Sequence, residues 1–299
     1  YIDFPFICGA DWTKIFRFKK DIDTRFFVYL LEAFKPETQW YRRHYSLLKE
    51  IPLPLPPLAT QKLIVAKLDE AFASLDESIA LTQKNIDHLD ELTKSVLDKV
   101  FEEGEWEKIW LWLLCKIITW NTPPTQFKDY YWWKILWAWP SDFWDFKIVN
   151  STNKTISEKW LKEWRARIIK KWSVMLVAIW ATIWKVWIAG EDMTTNQQIN
   201  TFETWNKLHS EFLYYYFRKI KNFFLGKSSQ TTLPILNKSQ CKEIQIPLPP
   251  LTKQQEIVDH LDKVFAETKQ LKAEYEAKLQ QLTELKASVL QSAFEGKLV

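Results

Sequence analysis

The stretch Leu55–Ala73, LPPLATQKLIVAKLDEAFA, returns without a gap 193 residues later as Leu248–Ala266, LPPLTKQQEIVDHLDKVFA. The register persists beyond it: Ser95-Val96-Leu97 falls on Ser288-Val289-Leu290, and Phe101 falls on Phe294. A match sustained over about 45 residues marks an internal duplication and organises the chain. Each copy opens on prolines, Pro52–Pro57 or Pro247–Pro250, which favour extended backbone and cannot continue a helix. Thr252 with Gln255 three residues on reads as a capping box, predicting that the second helix starts there.

Behind the prolines, Leu68, Phe72, Leu75, Ile79, Thr82, Ile86, Leu89, Thr93, Val96 and Val100 alternate four and three apart. That is a heptad seam, and it predicts one long coiled-coil helix. The second copy carries Leu261, Phe265, Thr268, Tyr275, Leu279, Leu282, Val289 and Ala293 at matching places, with Leu271 and Leu285 covering the positions beside Lys272 and Lys286. Roughly 40 residues at 1.5 Å rise give a rod of about 60 Å. The two rods are expected to pair with each other, antiparallel if the intervening segment connects opposite ends.

That intervening segment, residues 106–245, is rich in short β-branched runs. Lys116–Thr119, Lys147–Val149, Ser173–Ile179 and Ile199–Phe202 are predicted strands, and Ser210–Lys219 an amphipathic helix. Residues 1–50 end similarly, with a helix over Arg25–Ala33, and look like the tail of an equivalent domain. The expected organisation is a domain remnant at 1–50, a spacer helix at 51–105, a complete domain at 106–245 and a second spacer helix at 246–299. The fold class is α+β, with mixed α/β domains and two long antiparallel helices.

Composition sets wider bounds. A length of 299 residues with 47% hydrophobic content allows about two domains with real cores. A net charge of +4 permits a polyanionic partner without demanding one. Cys8, Cys115 and Cys241 are odd in number and show no CxxC spacing, which excludes a zinc knuckle and fits a reducing, cytoplasmic setting. No run reaches 18 apolar residues, and the opening YIDFPFICGADW lacks the features of a leader, so the chain reads as starting inside a domain. Most unusual are 5 Gly against 18 Trp, fifteen of the latter between Trp106 and Trp187.

Catalytic signatures are missing. There is no HExxH, GxSxG or Asp/Asn-Pro-Pro-aromatic motif, and the four histidines have no ligand spacing. WATIWKV, read with glycines for its tryptophans, comes near a phosphate-binding loop but is one residue short and ends on Val186 instead of Ser or Thr. What remains is four polar clusters: Thr122, Thr125 and Lys128; Arg165, Arg167, Lys170 and Lys171; Asn196, Gln197 and Gln198 behind Thr194 and Thr195; and Lys227, Ser228, Ser229 and Gln230. Amides pair bidentately with adenine edges, guanidinium with guanine, and Ser, Thr and Lys hold phosphates, so these are the candidate DNA-binding residues.

IPLPLPPLATQKLIVAKLDEAF (51–72) with its second copy IQIPLPPLTKQQEIVDHLDKVF (244–265), the ending LKASVLQSAFEGKLV (285–299) and TTNQQINTF (194–202) resemble the specificity subunits of type I restriction–modification systems. The resemblance covers nearly the whole chain. It implies two target recognition domains, each gripping half of a bipartite duplex site, held apart by two antiparallel spacer helices. It also implies partners: modification subunits that bring S-adenosylmethionine, and a restriction subunit with a motor and nuclease that uses ATP and Mg. This chain would then bind no cofactor or metal and supply address instead of chemistry. Spacer length is expected to set the gap between half-sites. The alternatives are the recognition part of a fused restriction–methylation enzyme, or a Trp-rich module that stacks single-stranded nucleic acid.

The sequence departs from that family by tryptophan. Trp40, Trp120, Trp172, Trp180, Trp184 and Trp187 stand where related chains carry glycine, and are expected to occupy turns. A bulky residue forced to positive φ costs about 1–3 kcal/mol. Such substitutions follow if UGA codons specify glycine in the source and are rendered as Trp. Trp106 and Trp137, by contrast, match aromatic positions of the family and are expected in the core. The run VAIWATIWKVWIAG (177–190) is accordingly predicted as strands broken by turns and not as a helix with an aromatic stripe.

Overall fold

A computed structural model describes residues 18, 21–34, 54–119, 128–143, 146–163, 167–178, 185–220 and 236–297. Its helices are α1 (Thr24–Ala33), α2 (Leu58–Glu102), α3 (Glu158–Glu163), α4 (Ser210–Lys219), α5 (Lys238–Lys242) and α6 (Leu251–Phe294). The strands are β1 (Lys108–Trp110), β2 (Cys115–Thr119), β3 (Tyr131–Ala138), β4 (Ile148–Val149), β5 (Thr155–Ile156), β6 (Val174–Val177), β7 (Val186–Ala189), β8 (Met193–Thr195), β9 (Ile199–Thr204) and β10 (Gln245–Pro247). Two compact units divide the chain: Tyr1–Leu89 with Gln270–Val299, and Asp90–Lys269.

The duplicated segments form α2 and α6, and the heptad pattern explains them. All ten seam positions of α2, from Leu68 to Val100, are buried or half-buried, while most of the residues between them face water; Leu97, beside the seam, is buried in the core of the second unit. Within the first unit the two helices run antiparallel: Lys286 of α6 pairs with Asp76 of α2 at 2.5 Å and lies over the Phe72 ring, whereas Leu290 and Ala293 share a core with Ile64, Val65 and Leu68. One expectation needs correction here. Lys272 and Lys286 occupy the seam themselves, half-buried, while Leu271 and Leu285 are exposed. A lysine stem covers apolar surface and carries its ammonium out to a carboxylate, so no neighbouring leucine is required.

The start of α6 also differs from the capping-box reading. The helix already includes Leu251, and it is Gln254, not Gln255, that reaches back. The Gln254 side chain is fully buried; its Nε2 donates to Pro249 O and Lys207 O at 2.9 Å each, and its Oε1 accepts from His209 N at 2.8 Å. Gln255 bonds along its own helix to Asp259.

This joint is built twice. In the first unit Gln61 donates to Pro56 O at 2.8 Å and accepts from Asp23 N at 2.9 Å. Asp23 caps α1 just as His209 precedes α4. Phe26 of α1 meets Phe294 with ring centroids 5.3 Å apart, and Phe212 of α4 meets Phe101 at 5.1 Å. Tyr29 packs on Phe72 at 5.4 Å and donates to Asp69; Tyr215 packs on Phe265 at 5.3 Å and donates to Asp262. Long-helix partners differ by 193 in number throughout and docking-helix partners by 186, so α1 occupies in its unit the place of α4 in the other.

In the second unit the main sheet has the order β2-β9-β6-β7-β4, antiparallel except for β4 beside β7. Strand alternation sends Val174, Leu176, Val186, Ile188 and Phe202 to one face, against α4 and residues of α2 and α6. Met175, Val177, Trp187, Ala189 and Ile199 go to the other face, with Ala138, Phe143 and Met193. Both faces are covered, which is why β6 and β7 read as unbroken apolar runs. A three-stranded sheet, β5-β3-β8, lies beyond, and β1 pairs with β10.

The tryptophans divide. Trp187 does not sit in a turn: it lies inside β7, buried, stacked on Phe143 at 4.1 Å, because strand periodicity takes its side chain into the second core. Trp137 is in the core as expected, whereas Trp106 is only half-buried and lies against Gly104, where an added Cβ would meet its Nε1 at 1.7 Å. Trp172 is the one described non-glycine residue at positive φ, 71°. It follows Lys171 in the turn closed by Ser173 N donating to Lys170 O at 3.0 Å, where a type II turn favours glycine. Trp40, Trp120, Trp180 and Trp184 lie outside the described residues.

Two outcomes follow. Trp172→Gly is expected to raise unfolding free energy by about 1–3 kcal/mol in chemical denaturation, since the exposed indole contributes little and the backbone strain is relieved. A neutral or negative change would contradict a glycine turn. Gln254→Ala is expected to cost at least about 2 kcal/mol, because it orphans a buried N–H and two carbonyls; a cost below about 0.5 kcal/mol would show that water replaces the amide.

Candidate nucleic-acid interface

One end of the five-stranded sheet holds the Asn196–Gln198 turn and the described flanks of two further candidate segments. At the end of β2, Thr119 Oγ1 bonds Asn200 Oδ1 at 2.6 Å. At the end of β6, Ala178 N donates to Gln198 O at 2.7 Å and Leu236 N donates to Ala178 O at 2.8 Å. Thr119 leads into the Thr122–Lys128 segment and Leu236 follows the Lys227–Gln230 segment, so the described flanks of both meet the Asn196–Gln198 turn. Thr122, Thr125, Arg165, Lys227, Ser228, Ser229 and Gln230 themselves lie outside the described residues, as does the side chain of Lys128.

The turn from β8 to β9 explains its own residues. Thr194, Thr195 and Asn196 are fully buried. Asn196 accepts from Gln198 N at 3.0 Å and donates to Gln198 Oε1 at 3.0 Å, while its backbone N–H bonds Ala138 O. Asparagine suits such a turn because its short amide substitutes for backbone partners. Asn196 thus shapes the turn, and the exposed amide presented to solvent is Gln197, with Gln198 half-buried beside it.

The basic cluster also splits. Ile169 bridges antiparallel to Met193, so Arg167, two residues earlier and exposed, lies toward the Asn196 end of β8. Lys170 and Lys171 lie at the other end of β6, beside Glu203 and away from Ala178; four strand residues span about 13 Å. Their charge is met locally. Lys170 Nζ pairs with Asp192 at 2.9 Å, Lys171 Nζ with Glu191 at 3.4 Å, and Lys171 N donates to Asp192 at 2.8 Å. The Lys171 N–H and then Lys170 hold the Asp192 carboxyl below its usual range, so this acidic neighbour stays charged near neutral pH. Sequence clustering grouped these cations with Arg167; the fold separates them.

Lys185 was missed. It is exposed, and its carbonyl accepts from Val177 N at 2.9 Å, which places it at the gathered end of the sheet. Its only sequence signal was a lone lysine between apolar residues, legible once the β6–β7 hairpin is known. A stacking platform finds less support: Trp137, Trp160 and Trp187 are core residues. Among the described residues no His, Cys, Asp or Glu cluster is placed to hold a metal, and no helix is long and apolar enough to cross a membrane.

Comparison with known proteins bears on this arrangement. Residues 103–281 match the family described as the type I restriction modification DNA specificity domain. A curated relative, the type I restriction enzyme MjaIX specificity subunit of Methanocaldococcus jannaschii, is 33% identical over 141 residues, covering 46% of this chain and 32% of the relative, so the match spans about a third of that protein's length. Among solved structures, one concerned with complex assembly and conformational transition of the type I R-M system shares the fold with a TM-score of 0.71 at 20% identity, covering 91% of this chain and 68% of that one. The HsdS subunit of Thermoanaerobacter tengcongensis shares it with a TM-score of 0.55 at 22% identity, with the same coverage.

Within the matched residues, Cys115 and Cys241 are buried thiols whose chemistry can be tested. Burial pushes both up to about 12, so at pH 8 only about one in 10⁴ is thiolate. Cys241 accepts from Asn200 Nδ2 at 3.3 Å, and Cys115 donates to Leu111 O at 3.2 Å. Iodoacetamide at pH 8 is expected to leave both unmodified in the folded protein and to modify both in denaturant; rapid native labelling would contradict their packing role.

Proposed function

This chain belongs to the type I restriction modification DNA specificity family, and on that premise we propose that residues Asp90–Lys269 read one half of a bipartite duplex DNA site. The observation that carries the reading is the twice-built joint. Since α1 holds Phe26, Tyr29 and the Asp23 cap against its long helix as α4 holds Phe212, Tyr215 and His209, α1 belongs to a second recognition domain equivalent to the first, in the place that α4 takes there. Two equivalent reading domains on two helices suit two half-sites separated by a gap, as in dimeric readers.

The gathered end of the sheet suits the reading surface. Gln197 is an exposed amide of the type that pairs with adenine, and Arg167 and Lys185 are cations for base edges or phosphates. Lys170 and Lys171, already matched by Glu191 and Asp192, are assigned a minor share. The chain supplies sequence recognition and no chemistry of its own. Modification subunits carrying S-adenosylmethionine and a restriction subunit using ATP and Mg are its proposed partners, and the cytoplasm its proposed location.

The test is duplex binding by the full-length protein across a salt titration. Arg167→Ala with Lys185→Ala is expected to weaken binding at least about tenfold and to lower the salt slope by about one for each phosphate no longer neutralised. Lys170→Ala is expected to stay within about twofold. The reverse ranking would place the surface at the other end of β6, and no preference for duplex over single-stranded DNA would remove the reading.

A further inference from the structure

The second joint contains a group with no counterpart among the described residues of the first. Lys147 lies immediately before β4, the edge strand of the five-stranded sheet, and its carbonyl accepts from Ile188 N of β7 at 3.0 Å. Its Nζ lies 2.7 Å from Glu211 of α4 and 2.6 and 2.9 Å from the two carboxylate oxygens of Asp262 in α6. The Tyr215 hydroxyl donates to the same Asp262, and the Lys147 ammonium sits 5.0 Å from the Tyr215 ring centroid. One cation therefore ties the sheet edge, the docking helix and the long helix at a single point. In the first joint the cation on the equivalent Asp69 is Arg25, which belongs to the docking helix itself and so fixes no sheet.

Among the described residues the second domain also meets α6 by apolar packing, by Gln254 and by Arg218 of α4, whose guanidinium lies 4.5 Å from the Phe265 ring centroid. Phe212, Tyr215, Ile257, Val258, Leu261 and Phe265 make an apolar packing that is strong and non-directional. Gln254 is directional, but it holds the backbone just ahead of α4, at Lys207 and His209, and not the sheet. Of these links, only Lys147 is both directional and anchored on the sheet. Charge-assisted hydrogen bonds fix orientation in a way that apolar area does not.

We propose that Lys147 is a positioning residue that sets the angle of the recognition sheet on α6 and thereby the gap length the protein accepts between half-sites. This rests on the bipartite reading above. Lys147 touches no base in this scheme; it narrows the range of sheet orientations, and a small rotation at the joint becomes a displacement at the reading end. Losing it should broaden gap tolerance and leave the preferred bases unchanged.

The experiment is selection of duplexes from a randomised library by the full-length protein assembled with its modification subunits, followed by sequencing. Wild type is expected to return two half-sites at one gap. Lys147→Met, which keeps the apolar stem, is expected to return the same half-sites with gaps one base pair longer or shorter enriched about tenfold relative to wild type, and Lys147→Arg to restore the single gap. If Lys147→Met proves unstable, Glu211→Gln, which keeps a hydrogen-bonding group, serves in its place and should broaden the gap in the same direction by less. A gap distribution unchanged in the folded variant overturns the proposal, as does a change in the half-site bases. A wild-type protein that selects no bipartite site removes the functional reading and the proposal together, and so differs from either of those results.

Discussion

A pair of long helices with one narrow apolar seam buries little surface per residue, and a mixed sheet needs cover on both faces. The joint between docking helix and long helix resolves both constraints at once. Phe212, Tyr215 and Tyr216 of α4 close one face of the sheet and also bury Phe101, Leu261 and Phe265. At the same place Gln254 satisfies the backbone where the chain passes from domain to helix. Burial pushes the Tyr215 hydroxyl well above its usual range, with Asp262 reinforcing it, so the tyrosine keeps the proton it donates to Asp262. Tyr29 is raised for the same two reasons, burial first and Asp69 second, in the other copy.

How far this could be read from residues alone depended on periodicity. The seam of α2 and the helix Ser210–Lys219 were legible because many apolar positions repeat at helical spacing. Ile199 and Val174 were placed in strands by β-branching and flanking turn residues. Strands β1, β3, β5, β8 and β10 were not named in advance, and β7 only as part of a run of strands broken by turns. Several are two or three residues long, and β3 and β7 hold tryptophans whose bulk obscures an alternating pattern. Trp187 shows the difficulty: expectation by analogy with a glycine turn put it outside the core, whereas its place in β7 puts it inside.

The candidate site was legible in composition and not in geometry. Amides, hydroxyls and cations near TTNQQ singled out a region of the chain, but burial is a tertiary property. Nothing in the local sequence distinguishes Asn196, consumed by its turn, from Gln197, one residue on and exposed. Likewise Arg167 and Lys171 are four residues apart in the chain, yet the bridge at Ile169 and the start of β6 send them to different ends of the domain. Lys147 could not be singled out at all, since its three partners come from Glu211, Asp262 and Tyr215, between 64 and 115 positions away.

The Gln254 joint draws its recognising groups from a short list: one buried glutamine, two backbone carbonyls, one amide N–H and a few aromatic rings, contributed by α4 and the chain just before it, by α6 and the prolines ahead of it, and by the end of α2. None of these groups belongs to the gathered end of the sheet. The scaffold is thus indifferent to whatever lettering the domain carries at that end: changes made there leave the seat on α6 untouched, much as a bayonet fitting accepts any lens.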